Sequence, residues 1–267
     1  MWTLFLQTLK DRRRTIFWFS VSAALLVWMF VALYPSIEAQ ADQLNEAFSS
    51  YPKEFLQAFG IDELNLSKLE NYLAAEQYSF TWPMLVLFLM ATMAGPALAG
   101  EIERGTADIL LARRLSRIKI YWSRYLTAVS TLFLFVIFSN FTVIPFALLH
   151  GVAYQLDKLI LISVLGFLFG LATLGVGFAL SAWFSERSRV YMLLGVSLVG
   201  MYVLNIVAQI NPDTFDWVKY FSFFYYFDAN LALVKGQILA EAYWFFGAIS
   251  ISSALLGVWR FRRRDIS

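Results

Sequence analysis

Residues 100–122 read "GEIERGTADILLARRLSRIKIYW" and lie between two of the most apolar runs in the chain. Eight charges of both signs fall in the nineteen residues from Glu101 to Lys119, although only 15% of the whole chain is charged. Such a stretch is either a water-exposed connection or a surface shaped to receive another protein. The sequence on either side decides between them.

Working outward, the chain of 267 residues has a mean hydropathy of +0.63 and is 18% aromatic. A soluble chain needs far more charge to cover its surface, so the main solvent here is lipid. Six runs are free of charge: 15–34, 80–100, 125–149, 159–185, 190–212 and 242–259. Roughly 20 residues at about 1.5 Å rise cross a hydrocarbon core of about 30 Å. In lipid each run must satisfy its backbone internally, as a helix. The expected fold is therefore all-α: a single transmembrane domain over 1–267 with six membrane helices. The aromatic stretch "YFSFFYYF" (220–227) is too short before Asp228 to be a seventh, and reads as a helix or re-entrant turn at the outer interface.

Arginine placement orients the chain. Segments 1–14, 101–124, 186–189 and 260–267 carry 16 of the 21 Lys and Arg, including every arginine. The positive-inside rule puts these segments, and both termini, in the cytoplasm of a multi-pass protein of the cell (inner) membrane. Trp2, Phe5, Leu6 and Leu9 recur at helical spacing, which predicts an amphipathic interfacial helix over 1–14 with Lys10, Arg12 and Arg13 towards lipid headgroups. The apolar run that follows, 15–34, exceeds the roughly 7–15 residues of a signal-peptide core, so a cleaved signal peptide is not expected. The outer loop 35–79 is acidic and patterned: Ile37, Ala41, Leu44, Phe48 and Tyr51 form one helical face, ended by Pro52. After Gly60, Ser67 and Glu70 predict a capping box for a second helix into Gln77. This loop reads as a cap over the bundle or as a substrate-accepting rim.

Several chemistries are excluded. With no cysteine and a single histidine, His150, the chain has neither a disulfide framework nor a histidine or thiolate metal cluster. Ser197 and His150 fall at opposite ends of their spans and cannot pair as nucleophile and base. No HExxH and no GxxxxGK[ST] is present, so the chain is not expected to be an enzyme or to hydrolyse ATP by itself. The spans lack Asp, Glu, Lys and Arg, which argues against proton coupling. What they hold instead is small or weakly polar. Gly166, Gly170, Thr173 and Gly177, with Ser181, form one face of the fourth span, suited to close packing within the chain or to a dimer seam. Asn140 and Asn205 either hydrogen-bond between helices or line a translocation path.

Within the opening stretch, Thr106 is a good N-cap, Asp108 suits the first turn, and Arg113 and Arg114 suit the last. Ala107, Leu110, Leu111 and Leu115 then share one side of a short amphipathic helix, and Ser116 can cap the next helix. A connection meant only to turn the chain needs about two to eight residues; this one spends far more.

The segment "PALAGEIERGTADILLARRLSRIKIYWSRYL" (96–126) resembles the permease subunits of type-2 ABC transporters, the ABC exporter family. The matching residues are Glu101, Glu103, Gly105, Thr106, Leu110, Leu111, Ser116 and Arg117. Leu115 stands where a proline commonly precedes the serine. The likeness extends to the N-terminal helix, the six spans and the aromatic outer segment followed by "ANLALVKGQ". It implies that residues 101–117, with Arg104, Arg113 and Arg114 among them, form a coupling helix seated in a groove of a separate ATPase subunit. It further implies a permease pair, of two like or two homologous chains, working by alternating access with two ATPases that bind ATP and Mg. Beyond lipids, no other partner is implied, and no nucleic acid. The rival readings are an ATP-independent channel or carrier, and a non-transporting membrane module of an ABC-type complex.

Overall fold

Long apolar runs leave the backbone no partner but itself. The computed structural model, which describes residues 2–51, 56, 66–106 and 116–264, is accordingly helical, with no strand among the described residues. In chain order the helices are α1 (Trp2–Glu38), α2 (Ala41–Ser49), α3 (Leu69–Leu73), α4 (Trp82–Ala94), α5 (Ala99–Glu103), α6 (Arg117–Phe141), α7 (Val143–His150), α8 (Leu156–Trp183), α9 (Arg187–Ile210), α10 (Pro212–Phe215), α11 (Phe223–Tyr226), α12 (Ala229–Leu233) and α13 (Ala240–Arg263). A π-helical turn, Ala74–Thr81, joins α3 to α4, and a 3-10 segment, Asp216–Phe221, joins α10 to α11. Among the described residues, five helices are long and apolar enough to cross a membrane: α1, α6 with α7, α8, α9 and α13. Their outward faces carry large apolar side chains such as Trp18, Phe138, Met192 and Trp244. Faces of that kind suit lipid rather than water. The chain is a multi-pass membrane protein.

The bundle is built round α8, which packs along α13 and also against α4, α6, α9 and α12. Its small residues make this possible. A Cβ on Gly166 would come within 2.3 Å of the Trp82 ring, one on Gly170 within 2.4 Å of Leu132, and one on Gly177 within 2.8 Å of Ala94. The face Gly166, Gly170, Thr173, Gly177 is thus filled by α4 and α6 of the same chain, with Thr173 fully buried. Of the two readings open to the sequence, packing within the chain is the one realised. A seam between two copies has no room at these positions.

Three boundaries depart from the sequence expectation. Residues 2–13 are not a separate interfacial helix but the first turns of α1, because neither Gly nor Pro interrupts the chain between Trp2 and Tyr34. Trp2 and Leu6 do stay exposed, whereas Arg12 is half-buried against the protein. The helix expected over 80–100 begins and ends earlier in the chain. The chain is helical without a break from Leu69 through the π turn to Ala94, and Gly95-Pro96 then ends it in a turn. The second outer-loop helix, expected to be capped at Ser67, starts at Leu69. The N-cap is Lys68, with no side-chain capping bond, and the Glu70 carboxylate accepts from the Gln155 N–H at 2.8 Å, tying α3 to the start of α8.

In segment 35–79, Ala41 is buried and Ile37 and Leu44 pack on the core as the helical face predicts, while Tyr51 is exposed. The Phe48 side chain, Pro52 and Gly60 lie outside the described residues. The aromatic stretch 220–227 dips inward. Phe223, Phe224 and Phe227 are buried, with Phe227 stacked on Trp82 at 5.8 Å and packed on Phe169.

Candidate functional site

The four arginine-bearing segments, scattered in sequence, meet at one end of the bundle. The meeting begins where α4 stops. Gly95 lies against the Tyr191 ring of α9, so close that a Cβ would clash at 2.3 Å. The N–H groups of Leu98 and Ala99 donate to Ser181 Oγ of α8 at 3.2 and 3.0 Å. A hydroxyl from the small-residue face therefore anchors the entry into α5.

Helix α5 ends in a Schellman turn. Gly105 has φ of +66°, its N–H donates to Ile102 O at 3.0 Å, and the Thr106 N–H reaches back to Glu101 O at 3.0 Å. The Gly-Thr pair therefore closes the preceding helix. The Thr106 hydroxyl donates to Glu101 Oε2 at 2.5 Å. Whether it also caps a following helix concerns residues outside those described.

Glu101 is the hub. Besides Thr106, it accepts from Arg104 Nη2 at 3.1 Å and from Arg124 Nη2 of α6 at 3.0 Å. Its side chain is 19% exposed and that of Arg124 12%. Burial acts to raise the Glu101 pKa, but the Thr106 hydroxyl and the two guanidiniums outweigh it and hold the carboxyl below its usual range. Arg124 also donates to Ala97 O, in the turn after α4. Glu103 points the other way, to the start of α9, accepting from the Arg187 N–H at 3.0 Å with Arg187 Nε at 3.6 Å.

On the far side of the loop, Ser116 Oγ accepts from the Lys119 N–H at 3.3 Å and caps α6, as its sequence position predicts. Arg117 donates to Arg264 O. Arg264, itself buried, donates to Ala182 O at 2.9 Å, Phe184 O at 2.8 Å and Ser185 Oγ at 2.6 Å. Both ends of segment 107–115 are thus tied to one connection, 182–187, between α8 and α9. Leu110, Leu111, Arg113 and Arg114, with the short helix expected around them, lie outside the described residues.

The two asparagines have different fates. Asn140 is fully buried and paired: Oδ1 accepts from Tyr78 OH at 2.9 Å, and Nδ2 donates to Ser163 Oγ at 2.9 Å. Next to it, Trp82 Nε1 donates to Ser139 Oγ at 3.0 Å. These bonds join the π turn, α6 and α8, which is the interhelical role. Asn205 is 8% exposed, and its Oδ1 is buried without a hydrogen-bond partner among the described residues.

Sequence reading missed Ser181 as an anchor, Arg264 as a latch and Tyr78 as the partner of Asn140. Arg264 carried one usable signal: it is the last of a basic cluster that follows a membrane helix. Tyr78 carried none, since its π turn has no distinctive composition. The profile of the family described as a protein of unknown function (DUF2705) matches residues 40–267. No curated protein matches the chain.

Proposed function

Since the chain belongs to the DUF2705 family of proteins of unknown function, we propose from its own residues that it is the permease subunit of an ATP-driven ABC exporter. It would act as one of a pair, by alternating access, with two separate ATPase subunits supplying ATP hydrolysis. The observation that carries this reading is the bracing of the charged loop. Glu101 and Arg117 are only partly exposed, and even the exposed Glu103 is engaged with α9. They bind the segment to α6, α9 and the end of α13. A loop held at both ends to the α8–α9 connection can pass a push from a partner into the membrane helices.

In the same reading the chain crosses the membrane six times. Glu70 sits beside the start of α8, and Gly95 beside Tyr191 and Ser181 at the opposite end. The helical run 69–94 therefore crosses between the ends and acts as a sixth span, with its π turn sheltered inside the bundle. In this topology the arginine-rich end faces the cytoplasm.

The test reverses Arg113 and Arg114 to Glu in the full chain, with insertion checked in the same variant. Opposed charges at an interface can cost several kcal/mol, whereas exposed pairs are worth under about 1 kcal/mol. The expected result is loss of co-purification with a P-loop ATPase, or of ATPase stimulation by the complex. A correctly inserted variant that keeps both makes the loop a solvated connection and removes the proposal.

A further inference from the structure

The inward face of α1 carries a charge just ahead of its apolar span. Arg12 lies on the stripe that continues through Phe19, Ala23, Val27 and Val31 against the protein, and it is half-buried. Its electrostatic neighbours are Tyr191, Arg124, Arg104 and Asp11. Among the described residues it forms no ion pair. Glu101, the carboxylate at the centre of this end, already serves Arg104, Arg124 and Thr106. Two guanidiniums thus share that carboxylate, and the acid next to Arg12, Asp11, is exposed. Partly buried charge left without a counter-charge is costly.

Beside Arg12 is a cavity of about 30 Å3, lined by Thr8 of α1, Met93 and Ala97 at the end of α4, and Arg124 and Thr127 of α6. Arg124 turns Nη1 and Nη2 to Ala97 and Glu101, but its Nε is buried and has no acceptor. The cavity is large enough for one or two oxygen atoms.

We propose that Arg12 and Arg124 bind the headgroup phosphate of an anionic phospholipid, one phosphate oxygen entering the cavity beside Arg124 and another meeting the Arg12 guanidinium. Guanidinium is well suited to a phosphate because its donors are fixed in a plane. A lipid is favoured over a soluble phosphate by the site's place on α1. The outward faces of that helix, with Trp2, Leu6, Phe17 and Trp18 exposed, offer acyl chains a surface next to the headgroup. The inference rests on the topology proposed above only in naming the cytoplasmic leaflet. It does not depend on transport or on an ATPase.

The experiment is native mass spectrometry of the isolated full chain, released from nanodiscs holding phosphatidylglycerol and phosphatidylcholine together. The expected result is selective retention of phosphatidylglycerol by the wild type and by Arg12→Lys. Arg12→Gln should weaken that retention by about tenfold or more, the scale of one lost charge-assisted contact. Arg262→Gln, an exposed arginine at the same end, should leave it unchanged. Equal retention by Arg12→Gln, or equal retention of the two lipids by the wild type, overturns the proposal. So does displacement of phosphatidylglycerol by millimolar inorganic phosphate, which would make the site one for a soluble anion. If Arg12→Gln cannot be purified, the comparison of the two lipids on the wild type and on Arg12→Lys decides. Because no ATPase is present, failure here leaves the transporter reading standing, and the reverse also holds.

Discussion

Gly105 and Glu101 show how a few atoms shape the arginine-rich end. At Gly105 a Cβ would find nothing within 4 Å, so a side chain meets only the backbone cost of φ at +66°. Gly105→Ala is expected to lose about 1–2 kcal/mol of stability, and Gly105→Asn less, because asparagine tolerates the left-handed region. Gly105→Pro should be worse than either, since it forbids that φ and removes the bond to Ile102. Thermal unfolding in one detergent ranks the three; equal midpoints would mean that the turn is not held. Glu101 gives a pH signature. Its carboxyl lies below the usual range when folded, so its stabilising effect is complete above the unfolded pKa and disappears as pH falls through the folded one. Glu101→Gln should therefore be less stable than wild type at neutral pH, by about 1.5–3 kcal/mol for bonds to a charged group. The two unfolding curves should converge as the medium is made more acid than the ordinary glutamate range. A gap that persists there would assign the effect to shape, not charge.

At the scale of elements, the fit of α8 against α4 and α6 depends on which side chain fills each glycine gap. Trp82 faces Gly166 and cannot swing away, being bonded to Ser139 and stacked on Phe227. Leu132 faces Gly170 through flexible methyl groups. Gly166→Ala should then cost about 1–3 kcal/mol, as overpacking does, and Gly170→Ala distinctly less. Neither should change the oligomeric state, because both contacts are within one chain. Light scattering in mild detergent checks this, and dissociation caused by either variant would revive a seam on this face. The same packing explains the π turn. Widening the helix over Ala74–Thr81 accompanies the placing of both Tyr78 and Trp82 on the α6 polar pair Ser139 and Asn140. Helical periodicity alone could not foresee it, since the turn carries neither Gly nor Pro to mark a change of helix type.

For the whole molecule, the arginines of segments 1–14, 101–124, 186–189 and 260–267 were assigned to one side by counting, and contacts now bring those segments together. Arg124 meets Glu101, Arg187 meets Glu103, and Arg117 meets the backbone of Arg264. A reporter fused after Ser267 is expected in the cytoplasm and one inserted near Ser50 outside, each checked by labelling with a membrane-impermeant reagent. Labelling of Ser50 from the cytoplasm would overturn the orientation and, with it, the proposed docking of residues 101–117.

The helical class, the membrane setting and the common side of the basic segments were determined by sequence alone, because lipid admits so few backbone solutions and because charge avoids its interior. Local signals also worked where a single side chain acts on its own backbone, as at Ser116. They did not foresee long-range partners, as where the Glu70 carboxylate takes the Gln155 N–H at the start of α8. Only tertiary structure decided that the glycine face of α8 is filled from within, that Asn140 joins three elements, and that Arg12 turns inward towards Arg124. Each of those outcomes depends on which atoms arrive from a distant part of the chain, and helical periodicity records which face a residue is on without recording what will cover it.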